Sequence, residues 1–114
     1  MTAPVIVAGT LFSLTDLGDR IIVPAGATTM SLTLMGLDTV NTCKTQKRTS
    51  PGGIYVDQVT YKADQFSTKV AVTTGEEWRV APIKLQTFNE IRYTMHIAPV
   101  AAAPADGTGS AAPV

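Results

Sequence analysis

The sequence predicts an all-β chain: a single antiparallel β-sandwich, immunoglobulin-like or jelly-roll, of seven to nine short strands, followed by an extended C-terminal arm. Three observations carry this. The stretch NEIRYTMHI alternates Ile91, Tyr93, Met95 and Ile97 with Arg92, Thr94 and His96, a period of two that puts one dry face on a pleated strand. ATTMSLTLMGL repeats the pattern with Met30, Leu32 and Leu34 against Thr29, Ser31 and Thr33. Gly, Pro and Asp clusters punctuate the chain at short intervals, with no convincing helical window between them, which is the spacing of a sandwich or small barrel.

Taken in order, 5–7 is a β-branched run and 10–14 continues it after Gly9, which reads as a bulge or tight bend between two short strands or within one broken strand. Asp16-Leu17-Gly18-Asp19 is turn chemistry. A strand over 20–23 closes at Pro24-Ala25-Gly26. Segment 38–46 has Val40 as its only large apolar residue and reads as an edge strand entering a loop over 44–53, where Ser50-Pro51-Gly52-Gly53 forbids regular structure. A strand follows over 54–63, with Tyr55, Val59 and Tyr61 on one face and Ile54 and Val56 on the other, both partly covered. In 66–72, Phe66, Thr68, Val70 and Val72 are expected to face the core. Trp78 and Val80 share a face over 77–81, and Pro82 marks an edge or a break.

The chain has 114 residues, enough for one domain: a sandwich over 1–97 and an arm over 98–114. The arm, APVAAAPADGTGSAAPV, holds seven Ala, three Pro and one charged residue, too few large side chains for a core of its own. Nine basic and nine acidic residues give zero net charge, and only 16% of residues are charged. No global field therefore favours nucleic acid or an anionic membrane, and a domain of low charge is prone to associate. The single Cys43 rules out an intrachain disulfide framework. The first residues do not read as a secretory signal, and no run reaches the roughly 18 apolar residues of a membrane helix. The expectation is a soluble product of the cytoplasm.

Chemistry-bearing residues are sparse. His96 is the only histidine, so one chain cannot build a multi-histidine metal site, and nothing suggests a nucleophile and carboxylate to accompany it. Cys43 reads as a neutral, half-buried thiol on an edge strand. Glu76 and Glu77 are adjacent but point to opposite faces of a strand, so paired acid–base chemistry is not implied; they read as a solvated turn. Asp16 and Asp19 match no calcium loop, and no phosphate-binding or dinucleotide motif is present. Lys44, Lys47 and Arg48 are a local cationic excess, suited to an acidic patch on a partner, to a polyanion or to a solvated loop. Trp78, Tyr55, Tyr61 and Tyr93 alternate with polar residues, which favours core or interface positions over a sugar-stacking platform.

A chain of this size that starts directly on a strand, runs through hairpins such as RIIVPAGATTMSLTL and ends in an Ala/Pro/Gly arm resembles the small all-β decoration, or cement, proteins of bacteriophage virions. The resemblance implies a structural protein without enzymatic activity or cofactor, located in the virion after assembly in the host cytoplasm. It further implies a symmetric homo-oligomer that bridges major capsid protein subunits or other virion subunits, with no nucleic-acid or membrane partner. The residues expected to touch the partner are Lys44, Lys47 and Arg48 and, in the arm, Pro99, Val100, Pro104, Pro113 and Val114. The alternative is a carbohydrate- or peptide-binding sandwich module using exposed aromatics and the 44–53 loop.

Overall fold

A computed structural model describes residues 4–99. Eight strands, β1 (Val5–Leu11), β2 (Ile21–Ile22), β3 (Thr29–Met35), β4 (Thr42–Arg48), β5 (Val56–Tyr61), β6 (Gln65–Ala71), β7 (Glu77–Lys84) and β8 (Ile91–Ile97), form two four-stranded sheets. Their orders are β1-β8-β3-β6 and β2-β7-β4-β5, and every pairing is antiparallel. β1 pairs β8, β2 pairs β7, β3 pairs β6 and β4 pairs β5. The chain is thus one long hairpin whose tip is the turn at Ser50-Pro51-Gly52-Gly53, closed by the Gly53 amide donating to the Ser50 carbonyl at 3.0 Å. Rolling that hairpin brings β8 onto β3 and β7 onto β4. The result is an eight-stranded jelly roll, which decides between the two sandwich topologies.

The two alternating stretches are the inner faces of adjacent strands. Ile91, Tyr93, Met95 and Ile97 on β8 and Met30, Leu32 and Leu34 on β3 are all buried, in cross-strand register through Leu32 with Met95 and Leu34 with Tyr93. The opposite sheet covers them with Ile21, Cys43, Trp78 and Val80. Burying each large aliphatic side chain contributes about 1.5–3 kcal/mol, so the β3–β8 pair is the main apolar anchor of the sandwich.

Gly9 is neither a bulge nor a bend. β1 runs unbroken through it, and Gly9 sits opposite Tyr93. A Cβ there would lie 2.6 Å from the Tyr93 hydroxyl, and one on Gly18 would lie 3.1 Å from the ring carbon that bears that hydroxyl. The two glycines let the phenol lie between β1 and the β1–β2 loop, where its oxygen accepts a 2.8 Å hydrogen bond from the Asp19 amide.

Further expectations on these strands meet the structure as follows. Segment 42–48 is not an edge strand running into a loop but β4, an interior strand between β7 and β5. Its inward side chains, Cys43 and Thr45, are fully buried, so Cys43 is a core residue, and burial pushes its thiol up to about 12. The exposed edge of that sheet is β5, where Val56 and Val59 face solvent; Ile54, before it, is also open. Phe66 is 69% exposed, whereas Val72 is buried. The β3–β6 register slips between Leu32 and Leu34, and Ser67 takes φ 50. One irregular residue turns everything before it to the other face. Pro82 lies inside β7, beyond the short stretch that β2 covers, so that side of the strand is locally an edge that needs no amide.

Gly9→Ala is expected to destabilise the protein by about 1–3 kcal/mol through overpacking against a fixed ring, measured by urea unfolding. Tyr93→Phe in the same background should recover part of that loss, because the hydroxyl is the nearest atom; a neutral Gly9→Ala would contradict this packing.

Candidate functional site

The polar chemistry of the described residues gathers on the outer face of the β2-β7-β4-β5 sheet and at its β4–β7 end. Cross-strand register places Gln46 opposite Arg79, Lys47 opposite Trp78 and Arg48 opposite Glu77. Alternation then sends Lys44, Gln46 and Arg48 outward while Cys43 and Thr45 point in.

Glu77 is 2% exposed. Arg48 donates to its Oε1 from Nε at 2.9 Å and from a terminal amino group at 2.7 Å, and Arg20 approaches the same oxygen at 3.5 Å. Glu76 faces the other way: Lys47 Nζ donates at 2.8 Å, the Thr73 amide at 2.7 Å and the Trp78 indole at 3.2 Å. Burial alone would raise the Glu76 carboxyl. The hydrogen bonds from Lys47, Thr73 and Trp78, with the lysine's charge, together hold it below the ordinary carboxylate range. The two glutamates do point to opposite faces as expected, but they are buried ion-pair acceptors and not a solvated turn.

Further along the outer face, Arg79 donates through Nε to Gln46 at 2.9 Å. Gln46 donates to Asp57 at 2.8 Å, and Lys44 donates to the same carboxylate at 3.0 Å. The Gln46 amide and then Lys44 keep the exposed Asp57 carboxyl below its usual range. Two guanidinium groups approach the Tyr55 ring, with Arg79 Cζ 3.8 Å and Arg48 Cζ 4.7 Å from its centroid, a cation–π arrangement. Gly18, Asp19, Arg20, Arg48, Tyr55 and Arg79 line a groove of about 480 Å³.

The expected partner residues fall into two sets. Lys44, Lys47 and Arg48 are not loop residues: they stand on β4, and each is paired within the chain, to Asp57, Glu76 and Glu77. Pro99 is exposed; Val100, Pro104, Pro113 and Val114 lie outside the described residues. His96 is part-buried opposite Ile6 and Ser31. Asp16 closes its own loop by accepting from the Phe12 and Ser13 amides. Trp78 and Tyr93 are buried. The stacked Tyr55–Arg79 pair escaped the sequence reading, because Tyr55 precedes β5 while Arg79 stands on β7, and only the β4–β5 and β4–β7 pairings bring them together.

A second feature is apolar. Register places the end of β1, the start of β8, the end of β3 and the start of β6 side by side, through Leu11 with Ile91, Met35 with Arg92 and Leu34 with Gln65. Phe12, Leu14, Met35, Phe66 and Phe88, all exposed, belong to this one end. Phe88 is 101% exposed and takes φ 68, an unfavourable backbone region for a bulky L-residue.

The chain matches no protein-family model, and neither the curated proteins nor the solved structures compared with it include a match. What fold and site define is therefore a class: an eight-stranded jelly roll with a cationic, tyrosine-backed groove and an apolar end.

Arg48→Met is expected to cost on the order of 3 kcal/mol, because it strands a buried carboxylate, and Arg48→Met with Glu77→Leu should recover most of that. A loss below about 1 kcal/mol, as for an exposed pair, would contradict the burial. Because Glu76 titrates below its unfolded value of about 4.3, its stabilisation is complete above that pH and disappears as pH falls through the native value. Thermal unfolding of Glu76→Gln between about pH 6 and pH 3 should therefore show a shallower acid loss than the parent chain; parallel curves would remove Glu76 from the account.

Proposed function

We propose that the chain is a structural virion protein, a capsid decoration or cement protein that docks on a major capsid protein shell and stabilises it. The observation that carries this reading is the apolar end. A small neutral domain gains nothing by itself from holding Phe12, Met35, Phe66 and Phe88 in water, and apolar patches of this kind mark sites of protein association. Phe88 is the sharpest case, since an exposed ring on a left-handed backbone costs the isolated fold on two counts. A shell subunit that buried those rings would supply what the fold lacks, in the manner of an interface anchored by a few aromatic side chains.

The jelly roll is compatible with this role, and it is an architecture that capsid and lectin domains share, so architecture alone does not choose among binding functions. The carbohydrate- or peptide-binding alternative loses three of the four rings expected for it. Trp78 and Tyr93 belong to the core, and Tyr55 is occupied by two arginines, which leaves none of those three rings open as a sugar platform. As a decoration protein the chain would act as a symmetric oligomer bridging shell subunits.

The test is cosedimentation of the purified full chain with expanded shells of the major capsid protein encoded in the same genome. Phe88→Asn relieves the backbone and removes the ring, so its unfolding midpoint should be unchanged or higher while occupancy on shells falls tenfold or more, about 1.4 kcal/mol or greater. Absence of binding by the parent chain, or full occupancy by Phe88→Asn, would overturn the proposal.

A further inference from the structure

We infer that the groove between the β1–β2 loop and the Arg48–Tyr55–Arg79 stack is a binding site for a carboxylate group, with Arg79 as its primary donor. This goes beyond docking by the apolar end and does not depend on it. Arg48 and Arg20 are drawn onto the buried Glu77. Arg79 is different: no acidic side chain among the described residues makes an ion pair with it. Its guanidinium is nevertheless fixed, stacked 3.8 Å from the centre of the Tyr55 ring and tied through Nε to Gln46. Gln46 is itself anchored on Asp57. The ordering cost that a free arginine would meet on binding is thus already met within the fold, and Arg79 lines a groove of about 480 Å³.

The charge of the site selects the ligand. Arg20, Arg48 and Arg79 stand against Asp19 and the underlying Glu77, which leaves one positive charge. A monoanionic, planar carboxylate neutralises it and matches the fork of an arginine edge-on. A phosphate dianion would leave the groove negative beside Asp19. The carboxylate can belong to a small molecule or to an acidic side chain of a partner; the chemistry recognised is the same.

The experiment uses the full chain and two probes that differ only in the ionised group, N-acetyl-aspartate amide and N-acetyl-asparagine amide, with inorganic phosphate as a third arm, all at matched ionic strength. Proton–nitrogen NMR should show saturable shifts at the Arg79 Nε–H and the Gly18 and Asp19 amides with the aspartate probe. They should fall at least tenfold with the asparagine probe and vanish in Arg79→Gln, whose remaining amide spectrum reports an intact fold. An acidic peptide that binds more tightly than the single aspartate would place the source in a partner chain; equal affinity would place it in a small molecule. Shifts that are equal for both amide probes, that persist in Arg79→Gln, or that are stronger with phosphate than with the carboxylate would overturn the assignment. None of these results bears on shell occupancy, which tests the apolar end separately.

Discussion

The Glu77 carboxylate is the constraint on which the polar half of the molecule depends. It sits 2% exposed at the start of β7, and a charge taken from water at that depth must be matched by good geometry or the site cannot form. Arg48 from β4 and Arg20 from beside β2 converge on one of its oxygens, so a single acceptor ties together the three strands β2, β7 and β4. Once Arg48 is turned toward Glu77, its guanidinium also covers one part of the Tyr55 ring. Arg79, two residues along the same face of β7, covers the ring more closely. The groove, its charge and the arginine left without an acidic partner are consequences of where that carboxylate is buried.

The apolar half has a different logic. β8 lies between β1 and β3, and Tyr93 passes over Gly9 to reach the Asp19 amide. That contact holds the β1–β2 loop against the sheet, which in turn places Gly18 and Asp19 at the rim of the groove. A residue of the central core strand thus sets one wall of the polar site. At the end of the sandwich where β1 finishes and β8 begins, the core closes on Leu11 and Ile91. Beyond it Phe12, Phe66 and Phe88 remain in water.

Much of the architecture was legible because β3 and β8 each have one face of large apolar residues, and a period of two over five to seven residues admits few other folds. β4 was not legible. Its inward positions are Cys43 and Thr45, small or hydroxylated, and its outward ones are Lys44, Gln46 and Arg48, so the strand reads as polar throughout although it is interior. The partners that make this tolerable, Asp57, Glu76 and Glu77, are distant in sequence and meet β4 only through cross-strand register. Glu76-Glu77 looked like a solvated turn for the same reason. Phe66 failed on a different principle: alternation assumes perfect register, and the irregularity at Ser67 reverses it. Gly9 was noticed, but the ring that requires a glycine there comes from the far end of the chain.

The most direct test of the buried-carboxylate account is solvent exchange of the arginine side-chain Nε–H groups, followed by nitrogen-resolved NMR on the intact chain. A guanidinium held on an inaccessible oxygen is shielded from exchange, whereas one in the solvent is not. The account predicts that Arg48 exchanges far more slowly than Arg20, whose side chain is 55% exposed, and that Glu77→Gln brings the two rates together. Equal exchange at Arg48 and Arg20 in the parent chain would mean that the carboxylate is not the anchor on which this face is built.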